Sequence, residues 1–151
     1  MRTLKVLAIV LVTSLALLAA ESPFSGTWKL NAAKSKLPPP GIKSETAVVD
    51  ADKNGLKFKN DVIVANGQQV KASYEAKFDG KDYPVTGDPS TDSISYQRVN
   101  ANTLKGTAKK DGKVVETFTV TVSKDGKVTT VEFVDNSQGK PVKGVAVYDK
   151  Q

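Results

Sequence analysis

Residues 56–78 read L-K-F-K-N-D-V-I-V-A-N-G-Q-Q-V-K-A-S-Y-E-A-K-F. Two alternating runs flank A-N-G-Q-Q. In the first, Leu56, Phe58, Val62 and Val64 share one face, and Lys57, Lys59 and Asp61 take the other. In the second, Val70, Ala72, Tyr74, Ala76 and Phe78 oppose Lys71, Ser73, Glu75 and Lys77. A period of two residues marks a strand with one buried and one wet face. Asn66-Gly67 supplies the positive φ that a tight hairpin needs.

The pattern extends in both directions. Turn signals recur at K-N-G (53–55), D-G-K-D (79–82), N-A-N (100–102), D-G-K (111–113), K-D-G-K (124–127) and S-Q-G-K (138–141). Between them, Ile94, Tyr96 and Arg98 share a face. So do Leu104, Gly106 and Ala108, and Val114, Glu116, Phe118, Val120 and Val122. The strand at 128–135 reads two ways, with Val131 and Phe133 inward or Val128 and Val134 inward. No stretch holds a helical period. Asn31 to Lys36 has room for one turn, which Pro38-Pro39-Pro40-Gly41 stops. A meander with short turns hides its edges most economically by closing. The expected fold is all-β, an antiparallel up-and-down barrel of eight to ten strands. A two-sheet sandwich is the alternative, but sandwiches favour longer crossover connections.

The N-terminus follows a different logic. Residues 1–20, M-R-T-L-K-V-L-A-I-V-L-V-T-S-L-A-L-L-A-A, have a basic start at Arg2 and Lys5, an apolar run from Val6 to Leu18 and small residues at Ala19 and Ala20. That is the pattern of a secretory signal-peptide helix. The run falls short of the roughly 20 apolar residues of a membrane span. The expectation is cleavage after residue 20, no stable membrane anchor thereafter, and one domain at 21–151, secreted or periplasmic.

Composition narrows the chemistry. The chain has 22 basic and 16 acidic residues, no histidine and no cysteine. Outside the leader every basic residue but Arg98 is lysine. Spread lysines solubilise strand faces. Nucleic-acid grooves favour arginine with exposed aromatic rings, so no nucleic-acid partner is expected. Without cysteine, stability rests on packing alone. Without histidine or cysteine, the common nucleophile arrangements are excluded. An enzyme would need Glu116 or Glu132 raised in pKa by burial, and the expectation is no enzyme. D-A-D-K-N-G at 50–55 resembles the opening of a calcium loop. Phe58 occupies a ligand position and no helices flank the stretch, so a hairpin explains it better. No metal and no cofactor are expected.

F-S-G-T-W-K-L-N at 24–31 holds Trp28, the only tryptophan. The stretch resembles the opening strand of the calycin superfamily, the lipocalins and fatty-acid-binding proteins, whose hallmark there is Gly-x-Trp. The resemblance implies that Trp28 plugs the closed end of the barrel while Gly26 lets the backbone bend close by. V-A-V-Y-D-K at 145–150 is similar to the last strand of fatty-acid-binding proteins. Three blocks in order look like a group of secreted bacterial lipocalin-like proteins of unknown function: F-x-G-T-W-K-L-N-x-A-K-S-K, F-D-G-K-D-Y-P-V-T-G and the terminal V-Y-x-K-Q. Fatty-acid-binding proteins hold the ligand carboxylate with Arg-x-Tyr on that last strand. Here only Tyr148 matches, and Ala146 stands in place of the arginine. Their helical lid has no counterpart in A-A-K-S-K-L-P-P-P-G.

Small residues on the proposed inner face (Ala72, Ala76, Gly106, Ala108, Gly144 and Ala146) either leave a cavity or match a barrel taper. With a cavity, Tyr74, Tyr96 and Phe118 line an apolar pocket, and Tyr148, Tyr96 and Arg98 fix a polar end. An inward Arg98 needs a partner. The face of Trp28, Glu116 and an anionic ligand are the options, and a bulge at the strand end would instead turn Arg98 outward. The expected function is an exported monomer that binds a small hydrophobic ligand. The alternative is a protein-binding barrel such as a periplasmic protease inhibitor.

Overall fold

The computed structural model describes residues 20–151, and the expected leader at 1–20 lies outside the described residues except for Ala20. The strands are β1 (Gly26–Leu30), β2 (Ile42–Ala51), β3 (Gly55–Val64), β4 (Gln69–Val70), β5 (Ser73–Lys77), β6 (Tyr83–Thr86), β7 (Ser93–Asn100), β8 (Thr103–Lys110), β9 (Lys113–Val122), β10 (Val128–Asp135) and β11 (Val142–Lys150). A 3₁₀ turn at Ala32–Lys34 follows β1, with the Asn31 side chain accepting from the Lys34 amide. No α-helix occurs among the described residues.

Apart from β4 and β5, which both pair with β3, each strand pairs antiparallel with its neighbours in the chain, and β1 pairs with β11 as well as β2, closing the sheet on itself. The short β4 and β5 run as one interrupted strand beside β3. The result is a closed antiparallel barrel of ten strands. Asn60 splices the interruption. Its backbone amide donates to the Ala72 carbonyl at 3.0 Å, and its side-chain oxygen accepts from the Ala72 amide at 3.0 Å. A ladder gap there would otherwise leave buried amides unpaired.

The expected turns all fall between strands. At Asp111-Gly112 both central residues have positive φ (50° and 75°), the type I′ geometry that suits the twist of the flanking strands. The calcium-like D-A-D-K-N-G stretch is the β2–β3 hairpin. The Asp52 carboxylate accepts from the amides of Asn54 (2.6 Å) and Gly55 (3.0 Å). D-G-K-D is clipped in the same manner. Asp79 accepts from the Lys81 amide at 3.0 Å and from the Tyr83 hydroxyl at 2.6 Å.

Inward positions are mainly apolar, with polar exceptions such as Glu45 and Glu116, and outward ones carry lysine, as at Lys57, Lys59, Lys71 and Lys77 along β3 to β5. This is the inverse of a membrane-spanning barrel, whose outer face is apolar. On β10 the inward set is Thr129 and Val131, which resolves the ambiguity of that strand. The best-packed part of the core joins Trp28, Ala76, Leu104 and Val122, each no more than 3% exposed. Each large apolar side chain withdrawn from water there contributes about 1.5–3 kcal/mol.

Candidate functional site

Trp28 anchors one end of the interior. It is buried, and its indole N–H donates to the Phe24 carbonyl at 3.0 Å. Gly26 has φ of 140°, a value L-residues rarely adopt, and the Lys150 stem occupies the space its Cβ would need. That close approach lets Lys150 reach over the indole, with Nζ 5.4 Å from the ring centroid. The basic residue on the tryptophan is therefore Lys150 and not Arg98.

Arg98 departs from the sequence expectation in a second way. Its guanidinium lies 4.7 Å from the Phe78 ring centroid and 5.7 Å from that of Phe24, and it donates to the Asp52 carbonyl at 3.2 Å. It does not line the cavity, and it contacts neither Glu116 nor Trp28. Arg98 keeps its regular register opposite Leu104, and the register shifts only beyond it, so the side chain stays on the inner parity and covers the Phe24 and Phe78 rings at the end of the barrel.

Above Trp28 the barrel interior holds a cavity of about 310 Å³ that is open to solvent in part. Its wall is an aromatic ladder. Phe58 stacks on Tyr74 with centroids 4.7 Å apart, Tyr74 meets Tyr96 at 6.2 Å, and Tyr96 meets Phe118 edge-on at 5.5 Å. The Tyr74 and Tyr96 hydroxyls share a hydrogen bond of 2.6 Å. Burial pushes both phenols up, so they stay protonated. Four of the five residues expected in the site, Tyr74, Tyr96, Phe118 and Tyr148, thus face one cavity.

The small inward residues do not all create space. A side chain at Gly106 would collide with the Phe118 ring, and one at Gly144 with the Phe133 ring. These glycines are seats for rings from the neighbouring strand. Ala72 and Ala108 do line the cavity.

The polar part of the cavity centres on Glu45, which sequence reasoning missed. Glu45 is 8% exposed. Its Oε1 accepts from the Asn60 side-chain amide at 2.9 Å and its Oε2 from the Tyr148 hydroxyl at 2.7 Å. Burial raises its pKa, and the two donors oppose that rise. The signal for Glu45 was its parity with Ala47, Val49 and Ala51 on β2. Asn60 shares a face with Phe58 and Val62 in the same way.

Glu116 also faces the cavity, and burial, reinforced by Asp135, Asp88 and Glu45, raises its pKa to about 7. Glu132, the other carboxylate considered for chemistry, is exposed on the outer face. Asp88, Ser90 and Thr91, from the connection between β6 and β7, bring that loop to the cavity. No group of three or more potential metal ligands occurs among the described residues.

A scan against known protein families found no matching family model, and a search of curated proteins found no match. The barrel is thus shown by its own geometry.

Proposed function

We propose that this protein is an exported, monomeric, calycin-like barrel that carries a small, mainly apolar molecule. The observation that carries the reading is the cavity behind Trp28: about 310 Å³, walled by stacked aromatic rings, with hydroxyl and carboxyl groups converging on one part. Small-molecule sites are built in this way, apolar for affinity with a few fixed polar groups for orientation. The volume is near the lower end of the roughly 300–1,000 Å³ usual for such sites, which favours a compact ligand over a long acyl chain. No bond is made or broken in this reading. Tyr74, Tyr96, Phe118 and Tyr148 bind and orient, and Arg98 only caps the barrel end.

The protease-inhibitor alternative gains no support from the start of the domain. It would need an N-terminal arm free to enter a partner's cleft. Phe24 is instead buried, and the Ser25 hydroxyl accepts from the Ala51 amide at 2.9 Å and donates to the Ala51 carbonyl at 3.1 Å. That segment is held on the barrel.

Native mass spectrometry of protein purified from its own host's envelope tests the carrier reading. The expected result is a mass above that of the bare chain, lost on denaturation, with Trp28 emission changing when the small molecule is removed. A bare mass, with Trp28 emission indifferent to a panel of apolar compounds, overturns it.

A further inference from the structure

The cavity has a charge bias opposite to that of the chain. Basic residues outnumber acidic ones by 22 to 16. Yet Glu45, Asp88 and Glu116 line the cavity, and no lysine or arginine does. The two oxygens of Glu45 are already engaged by Asn60 and Tyr148. Glu116 receives no such donor, and the charged groups that bear on it, Asp135, Asp88 and Glu45, all share its sign. When ionised, these groups give the cavity a negative potential that no lining cation among the described residues offsets.

An independent observation points to a bound molecule. Thr129 lines the same cavity and is 8% exposed, and its hydroxyl oxygen is buried without a hydrogen-bond partner among the described residues. An unsatisfied buried hydroxyl is destabilising. A ligand that donates to it would remove that cost.

Building on the carrier reading, we infer that the ligand is an organic cation: a compact apolar or aromatic body bearing a protonated nitrogen, held by Glu116 with Glu45 and Asp88 beside it. An ammonium group loses its hydration on entering and needs carboxylates to replace it. The faces of Tyr74, Tyr96 and Phe118 add cation–π attraction of a kind that neutral or anionic ligands do not receive. The N–H groups of an amine match a cavity of acceptors, including the oxygens of Glu116 and Thr129. A carboxylate ligand would meet three acidic side chains and no cation. The site thus differs in sign from one built around an inward arginine.

Three probes of one skeleton test this: 2-naphthylmethylamine, 2-naphthylmethanol and 2-naphthoate. Each is titrated by calorimetry at pH 8, where Glu116 is ionised, into purified protein stripped of small molecules. The amine should bind at least about tenfold more tightly than the alcohol, and the carboxylate most weakly. Glu116→Gln should bring the amine to the affinity of the alcohol and leave the alcohol unchanged. Equal or tighter binding of the alcohol or carboxylate overturns the cationic ligand while leaving the carrier reading in place. So does an amine preference that survives Glu116→Gln. Failure of all three probes to bind overturns the carrier reading and this inference with it.

Discussion

The Tyr148 hydroxyl donates to Glu45 Oε2 at 2.7 Å across 103 residues of sequence. The bond passes over β1, joining β11 to β2, two strands that are not neighbours in the sheet. Asn60 completes the arrangement from β3. Three strands are thereby tied to one buried carboxyl.

Tyr148→Phe should destabilise the protein by about 1–3 kcal/mol, because Glu45 is left with a single donor in a buried site. Urea unfolding at pH 7 measures this. The double variant Glu45→Gln/Tyr148→Phe should lose less than the sum of the two single variants, since both remove one interaction. Additive losses would show that the pair is not coupled.

Glu116 imposes a pH dependence of definite sign. Its pKa is about 7 in the folded protein against 4.5 as the ordinary value, so the folded state holds the proton more tightly. The stability this confers is full below about 4.5 and is lost as pH rises through about 7. Glu116→Gln mimics the protonated form. It should match the parent near pH 4.5 and exceed it by up to about 3 kcal/mol at pH 8. Thermal unfolding of both proteins across that range is the check. A gap that is constant with pH would place the titration elsewhere.

Gly106→Ala should cost about 1–3 kcal/mol, as overpacking does where a ring must give way. The added methyl meets the Phe118 ring. Phe118→Leu in the same chain should recover part of the loss, because the smaller side chain vacates the seat. Chemical denaturation of the three variants decides it.

Arg98→Ala removes the stack on Phe78 and Phe24 and the bond to the Asp52 carbonyl. Its expected cost is about 1–2 kcal/mol, with no change in the affinity of any probe that binds the cavity. A weakened probe in calorimetry would return Arg98 to the binding site. Lys150→Ala, by contrast, uncovers Trp28 and should shift its emission.

Much of the barrel could be read from residues 56–78, because the alternation there is broken only at Asn60 and Ile63 and N-G marks the turn. Tyr74, Tyr96 and Phe118 were found by the same parity. On β2 the adjacent Val48 and Val49 blur the alternation, and the register shifts between Ile42 and Ser44, so Glu45 was hidden among exposed-looking polar residues. At Arg98 parity held, but parity does not say how deep along the barrel a side chain sits, and the guanidinium lies over Phe24 and Phe78 at the barrel end rather than in the cavity. Gly106 and Gly144 misled for another reason. A missing side chain leaves room, but only the facing strand decides whether a ring takes it.

The closure between β1 and β11 has a consequence for how the chain acquires its fold. Trp28 pairs with Lys150, so β1 keeps one edge open until β11 is available to it. A chain emerging N-terminus first has to hold that edge unmated while most of the polypeptide follows. Pairings this far apart in sequence form slowly, and an incomplete ring exposes backbone that another molecule can capture. Deleting the last strand should therefore yield self-association rather than a smaller soluble barrel.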